Sequence, residues 1–345
     1  MKKISLILVV AMLLTCMSVF TVSASAAEAP EDPPEDLEPI TLKFGHYYAK
    51  GNFFDDLSNL FADTVEELSG GVMKVDVYTD SVLGNEEQLI EGAQGGTVDL
   101  IITGTLLQTT VPMLGIVQGP FLFENWEHAK TVMNGELGKE IYDKFEDGGM
   151  RAICTFPEGF REFVLVKPIR SMEDFKGYQM RMGPYQNMLA LAHALGCAEQ
   201  TSPMVDVFTS LQTGVYDGCD AVYTAITAYA WYEPANYVLE THHSFSSSCI
   251  AISSITWDKL SDAQKAILEE ASAIVSEQAW AQAEEVEQEH KQAVIDEGVE
   301  IIEVDDEWRA QMKEATWSVW EDLFASVPGM EDLYNRIQAV APSAQ

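Results

Sequence analysis

The chain reads as an α/β protein of two domains, and three features predict this. Its 345 residues suit two units on a scale of about 150 residues per domain. Short apolar or alternating runs repeatedly give way to stretches with helical spacing, the order expected of largely parallel sheets. Residues 262–297 contain no Gly or Pro, which predicts a helix of roughly 54 Å at 1.5 Å per residue, longer than a small domain is wide.

The elements follow in chain order. Residues 1–26 pair Lys2 and Lys3 with an apolar run from Ile4 and the small residues Ala24-Ser25-Ala26. These are the three parts of a secretory signal, with a retained membrane anchor as the alternative. Lipid attachment at Cys16 is a minority reading, because Thr15 precedes it and the apolar run continues through Phe20. Residues 27–39 then read as an acidic, Pro-rich tether, since Glu28–Glu38 holds six acids and three prolines and has little apolar area to bury.

Thr41–Tyr47 alternates like a strand, Phe53–Leu68 is helical, and Met73–Thr79 alternates again after the Ser69-Gly70-Gly71 stop. Asn85–Gln94 is helical and Val98–Thr103 is a short apolar strand. The second half repeats the style, with strands at Arg151–Phe156, Glu162–Val166 and Tyr178–Met182 and helices at Met188–Leu195 and Val205–Thr213. The long helix opens on Ser261-Asp262-Ala263-Gln264, a capping box whose side chains satisfy free N–H groups of the first turn. Leu268, Val275, Val286 and Ala293 mark its apolar face, with Glu269, Glu277, Glu284 and Glu287 placed elsewhere. Two helices joined without a visible break are the alternative.

Lys and Arg number 20 against 55 Asp and Glu, a net charge of −35. A surface this acidic, without a basic stripe, excludes nucleic-acid binding. Cys154, Cys197, Cys219 and Cys249 are too widely spaced for a metal or redox motif and read as buried free thiols. His242-His243 is no metal site either, because neighbours on a strand point to opposite faces. No cofactor is implied. The chain has no Gly-x-Ser-x-Gly, no HExxH and no Walker-type loop, which leaves an exported hydrolase as the weaker reading.

Several segments, taken together, carry a family resemblance. They are Leu83–Gln88, Gly96–Asp99, Gly119–Phe123, His128-Ala129, Gly159-Phe160-Arg161, Asp174–Gly177, Met180–Met182 and Val207–Gly218. In this order and spacing the chain resembles the solute-binding proteins of TRAP transporters, the DctP family, from about Ile40 to its C-terminus. The resemblance implies a periplasmic-binding-protein-like (Venus flytrap) fold, with crossing strands and a long hinge-spanning helix. Its domain I would comprise 40–158 and 247–286, its domain II 159–246 and 287–345. A protein of this kind is not an enzyme. It captures an organic acid outside the cytoplasm and hands it to membrane permease subunits, or, alternatively, presents it to a membrane sensor. A monomer is expected.

The resemblance also nominates residues. Arg181 would clamp the solute carboxylate, since a guanidinium matches two carboxylate oxygens in a way Lys does not. A surface Arg paired to an acid is the bland alternative. Arg161 would assist, and Tyr47 follows the first strand where a ligand contact is expected. Phe156, Tyr185 and Met204 match cleft-lining positions, with ordinary core packing as the competing reading. His243 borders the cleft as a hydrogen-bonding group. Where many members continue Gln-Glu-Asn-Pro after the Asp-Gly pair, this chain has Cys219-Asp220-Ala221-Val222. Ala221 lacks the amide, and Asp220 would accept from ligand hydroxyls or an amine, or repel a second carboxylate. Gly104 stands where some members carry a Glu, which argues against a sialic-acid-like polyol and leaves a smaller or more apolar acid open.

Overall fold

The computed structural model describes residues 37–340. The signal segment, Cys16 and nearly all of the tether lie outside them. Chain order runs β1 (Ile40–Gly45), α1 (Phe53–Leu68), β2 (Met73–Tyr78), α2 (Glu86–Gln94), β3 (Leu100–Thr103), α3 (Trp126–Met133) and α4 (Glu136–Asp143). It continues with β4 (Met150–Leu165), β5 (Gln179–Met182), α5 (Gln186–Ala194), β6 (Ala198–Thr201), α6 (Met204–Thr213), β7 (Gly218–Ala221) and α7 (Tyr223–Ala228). Then come β8 (Tyr237–Ser253), α8 (Ser254–Trp257), α9 (Asp262–Asp296), β9 (Glu300–Glu303), α10 (Asp306–Ala315), α11 (Trp317–Ser326) and α12 (Met330–Gln338).

The nine strands of the described residues join one sheet in the order β2-β1-β3-β8-β4-β7-β5-β6, with β9 on β8. Two parallel wings, β2-β1-β3 and β7-β5-β6, flank an antiparallel ribbon made of β4 and β8. The wings are parallel as expected, while the long ribbon between them is antiparallel. It also merges the two strands expected at Arg151–Phe156 and Glu162–Val166 into one. Pro157 and Gly159 mark a bulge in β4 instead of its end, because register shifts there absorb the missing N–H and the left-handed Gly159, φ +115°. β8 was not foreseen over its full length, since His242–Ser248 lacks the apolar alternation by which strands are recognised.

Each wing buries both faces. In the first lobe, Phe44, Phe61, Ile102 and Phe156 pack beneath Leu268 and Val275 of α9. On its other face Leu89, Leu114, Ile141 and Phe245 form a second core. In the second lobe, Phe163, Met180 and Leu191 form one core, and Val207, Leu211, Tyr223 and Trp231 with Val294 of α9 form the other. The long helix therefore contributes to both lobes. The predicted Ser261–Gln264 capping box is present. Its buried face runs through Ala279, Ala283 and Glu287, not through Ala293, because the stripe follows three- and four-residue steps and drifts off a strict seven-residue repeat. Glu287 is thus on the core face, contrary to expectation. The C-terminal helices divide between the lobes: α10 lies against residues 172–175, α11 against α5, and α12 against α4.

Candidate functional site

The β4–β8 ribbon carries the site, and two buried glutamates shape it where the strands bend. Glu287 of α9 accepts from the Phe160 N–H (2.9 Å) and from the Trp126 indole (2.9 Å), satisfying the backbone beside the Gly159 bulge. Glu162 accepts from the Thr241 and His242 N–H groups at 2.6 and 2.9 Å. His242 there has φ +48°, a left-handed conformation that a non-glycine residue holds only when its surroundings over-determine it. Burial pushes the Glu287 carboxyl up to about 7 and Glu162 well above the carboxylate range.

Next to these bends, on the second lobe, stand two arginines in different states. Arg161 is held by an ion pair from its Nε to Asp220, and it also donates to Ser246 Oγ at 3.0 Å. Burial opposes the Asp220 charge, yet the Arg161 guanidinium and His243 hold its carboxyl below the usual range. Arg181 is 4% exposed. It donates to the Ser202 carbonyl at 2.8 Å, its Nε has no hydrogen-bond partner, and no acid pairs with it among the described residues. A buried guanidinium without a counter-charge is costly unless something else supplies the anion.

The first lobe faces this pair with acids. Glu158 accepts from Tyr48 at 2.7 Å and from Ser248, while Tyr47 donates to Tyr48 at 3.2 Å. Glu86, in the first turn of α2, accepts from the Thr103 hydroxyl (2.9 Å) and the Gly104 N–H (3.0 Å). Burial pushes Glu86 up to about 7, with the Glu158 charge adding to the effect and the two hydrogen bonds opposing it. Tyr185 packs against cores of both lobes. After burial, the charges of Glu86, Arg161, Glu158 and Arg181 all act on its hydroxyl. Tyr185 thus lies within electrostatic range of all four groups.

The predicted residues divide accordingly. Arg161, Arg181, Tyr47 and Tyr185 come together, and Met204 lies two residues beyond the Ser202 carbonyl that Arg181 holds, half-buried at the start of α6. Three others differ from expectation. Phe156 is fully buried against Phe54, 5.6 Å between ring centroids, within the core that α1 and α9 cover. Asp220 is also fully buried, one oxygen on Arg161 and the other accepting from Gly183 N–H at 3.2 Å, which leaves neither for a ligand hydroxyl. His243 is fully buried, stacks on Phe163 at 4.2 Å, bonds Thr241 at 2.7 Å, and brings its Nε2 within 3.9 Å of the Asp220 carboxylate. Sequence reasoning missed Glu86 and Glu158. Glu86 reads locally as a helix-start acid, and Glu158 lies between Pro157 and Gly159 in what resembles a turn.

The chain and its fold have counterparts among known proteins. A solute-binding protein of Roseobacter denitrificans is 33% identical over 260 residues, covering 75% of this chain and 77% of that protein. A TRAP periplasmic solute-binding protein of Haemophilus influenzae with bound L-gulonate is 28% identical with a TM-score of 0.83, covering 87% of this chain and 99% of the other. The sugar-acid-binding protein of Advenella mimigardefordensis in complex with galactonate is 25% identical with a TM-score of 0.83, covering 89% and 100%. The model of the bacterial extracellular solute-binding proteins, family 7, matches residues 44–327. The chain belongs to that family, DctP.

Proposed function

We propose that this protein captures an organic acid in the cleft between its lobes, closes on it, and delivers it to the membrane subunits of a TRAP transporter. One observation carries the reading: Arg181 is buried, aligned by the Ser202 carbonyl, and without an acid partner among the described residues. The solute carboxylate supplies the missing charge, taking paired N–H donors in a geometry suited to the planar guanidinium. Arg161, fixed by Asp220, lines the same pole, and Tyr47, Tyr185 and Met204 flank the carbon skeleton. The relatives that hold gulonate and galactonate support an acid as the solute.

Closure occurs by bending β4 and β8 at their bulges, with residues 40–158 and 247–286 in one lobe and 159–246 with the chain from 287 in the other. The protein is exported, cleaved near Ala26 and monomeric, with anchoring at Cys16 as the minority form. Isothermal titration against a panel of carboxylates and their neutral amides tests the reading. The expected result is binding of an acid, no binding of its amide, and loss of the acid in Arg181→Ala. Retained affinity without Arg181 would refute it.

A further inference from the structure

The acidic wall of the first lobe has no role in holding a carboxylate. Glu86 and Glu158 each use one oxygen, Oε1, for every hydrogen bond they accept from the protein: Thr103 and Gly104 on Glu86, Tyr48 and Ser248 on Glu158. Neither Oε2 has a donor, and neither carboxylate is paired with a base, among the described residues. The two groups belong to one surface, because a Cβ placed on Gly104 would stand 2.9 Å from Ser248 Oγ. Ser248 lies two residues from Ser246, which binds Arg161, so both serines face the same side of β8. A polar stripe therefore runs from two carboxylates on one lobe to two guanidiniums on the other. At its far end stands Arg181, more than nine-tenths buried with an unpartnered Nε.

We infer that Glu86 and Glu158 determine specificity by binding hydrogen-bond donors at the end of the solute remote from its carboxylate. They make the protein a receptor for hydroxylated monocarboxylates and exclude the matching dicarboxylates. This rests on the proposed capture by Arg181. A hydroxyl donating to a carboxylate forms a charge-assisted hydrogen bond, stronger than a neutral one. Above about pH 7, where Glu86 has lost its proton, a second carboxylate in the same place finds no donor there and meets two like charges in a site shielded from water. The second lobe cannot compensate, since Asp220 already neutralises Arg161 and leaves one guanidinium for one anion.

Matched pairs of solutes isolate this feature: D-gluconate against D-glucarate, D-galactonate against D-galactarate, and 4-hydroxybutyrate against succinate. Within a pair the carboxylate for Arg181 is kept and only the far end changes from CH2OH to carboxylate. Titration calorimetry on the mature protein at pH 8, where Glu86 is ionised, is expected to favour the monocarboxylate at least tenfold in every pair that binds. Glu86→Gln and Glu158→Gln, each checked for unchanged melting behaviour, should narrow that ratio by weakening the hydroxy acid and strengthening the diacid. Equal or tighter binding of the diacid by the unmodified protein overturns the inference whatever the variants do. A ratio unmoved in both variants also overturns it. If Arg181→Ala abolishes binding while the ratio ignores both glutamates, only this inference fails. If affinity survives Arg181→Ala, the capture mechanism fails. Silence across every pair counts against both.

Discussion

Arg161 and Asp220 form a buried ion pair between β4 and β7, and this pairing distinguishes the two arginines of the cleft. The aspartate is completely enclosed and also receives the Gly183 N–H. Arg161 is therefore part of the frame, whereas Arg181 presents donors that the described residues leave unmatched.

Replacing Asp220 by Asn should destabilise the protein by about 3–5 kcal/mol, because Arg161 keeps a buried charge and loses its partner. At roughly 2–4 °C per kcal/mol for a large domain, calorimetry should record a fall in Tm of several degrees or more. The same variant should bind diacids better relative to monoacids, since a second guanidinium becomes available. An unchanged Tm would show that the pair is not structural.

Arg181→Lys should bind the solute far more weakly than the native protein, though better than Arg181→Ala. Lysine keeps the charge without the planar pair of donors. Truncating one member of a buried charge pair costs about 2–5 kcal/mol, which corresponds to roughly 30-fold to several-thousand-fold in Kd for the Ala variant. Titration with the solute found in the carboxylate screen measures both.

Stability should fall as pH rises. Glu86 and Glu287 are each raised to about 7, chiefly by burial. A carboxyl whose folded pKa exceeds its unfolded value, about 4.3, binds its proton more tightly in the native state. Its stabilisation is therefore complete below the unfolded pKa and lost as pH climbs through about 7. For Glu287, only 6% exposed, the change is on the order of 3 kcal/mol. Tm measured from pH 6.5 to 8, above the range in which the buried histidines gain charge on unfolding, should decline, and Glu287→Gln should flatten the decline. An identical slope in that variant would rule out Glu287 as its source.

Trp320 anchors the C-terminal helices to the first lobe. Its indole donates to the Pro120 carbonyl at 2.9 Å, and its ring lies so close to Gly119 that a Cβ there would collide with it. Trp320→Ala should cost about 3–5 kcal/mol, and Gly119→Ala should also destabilise. Thermal melts of both variants provide the check. Full stability in either would mean α11 is not tied down there.

Cys154, Cys197, Cys219 and Cys249 are free and buried. Burial pushes Cys197 and Cys219 up to about 12, and Cys154 and Cys249 higher. A thiol-specific reagent at pH 8 should leave all four untouched in the native protein and modify them after denaturation. Fast modification of the native form would contradict the burial.

The helices were the most legible part of the fold, because their signals are local. Asn85 with Gln88, and Ser261 with Gln264, form the capping boxes their spacing announces. β4 and β8 were harder to read. Their registers are maintained across bulges at Pro157/Gly159 and Arg161/Phe163, and a proline, a glycine and a run of serines resemble loop in isolation. A strand's pairing is a property of its neighbours, and those neighbours lie some ninety residues away in the chain.

The site divides in the same way. Sequence alone determined the family, the two-domain α/β architecture, and Arg161 and Arg181 as candidates, because residue type and order survive without coordinates. Tertiary structure decided what each residue does. It enclosed Asp220 and His243 behind Arg161, turned Phe156 into the α1–α9 core, and moved Glu287 to the inner face of α9. It also brought Glu86 and Glu158 together from α2 and β4. A side chain's charge is written in the sequence. Whether that charge is compensated depends on what stands within a few ångströms of it, and only the folded chain brings such groups into contact.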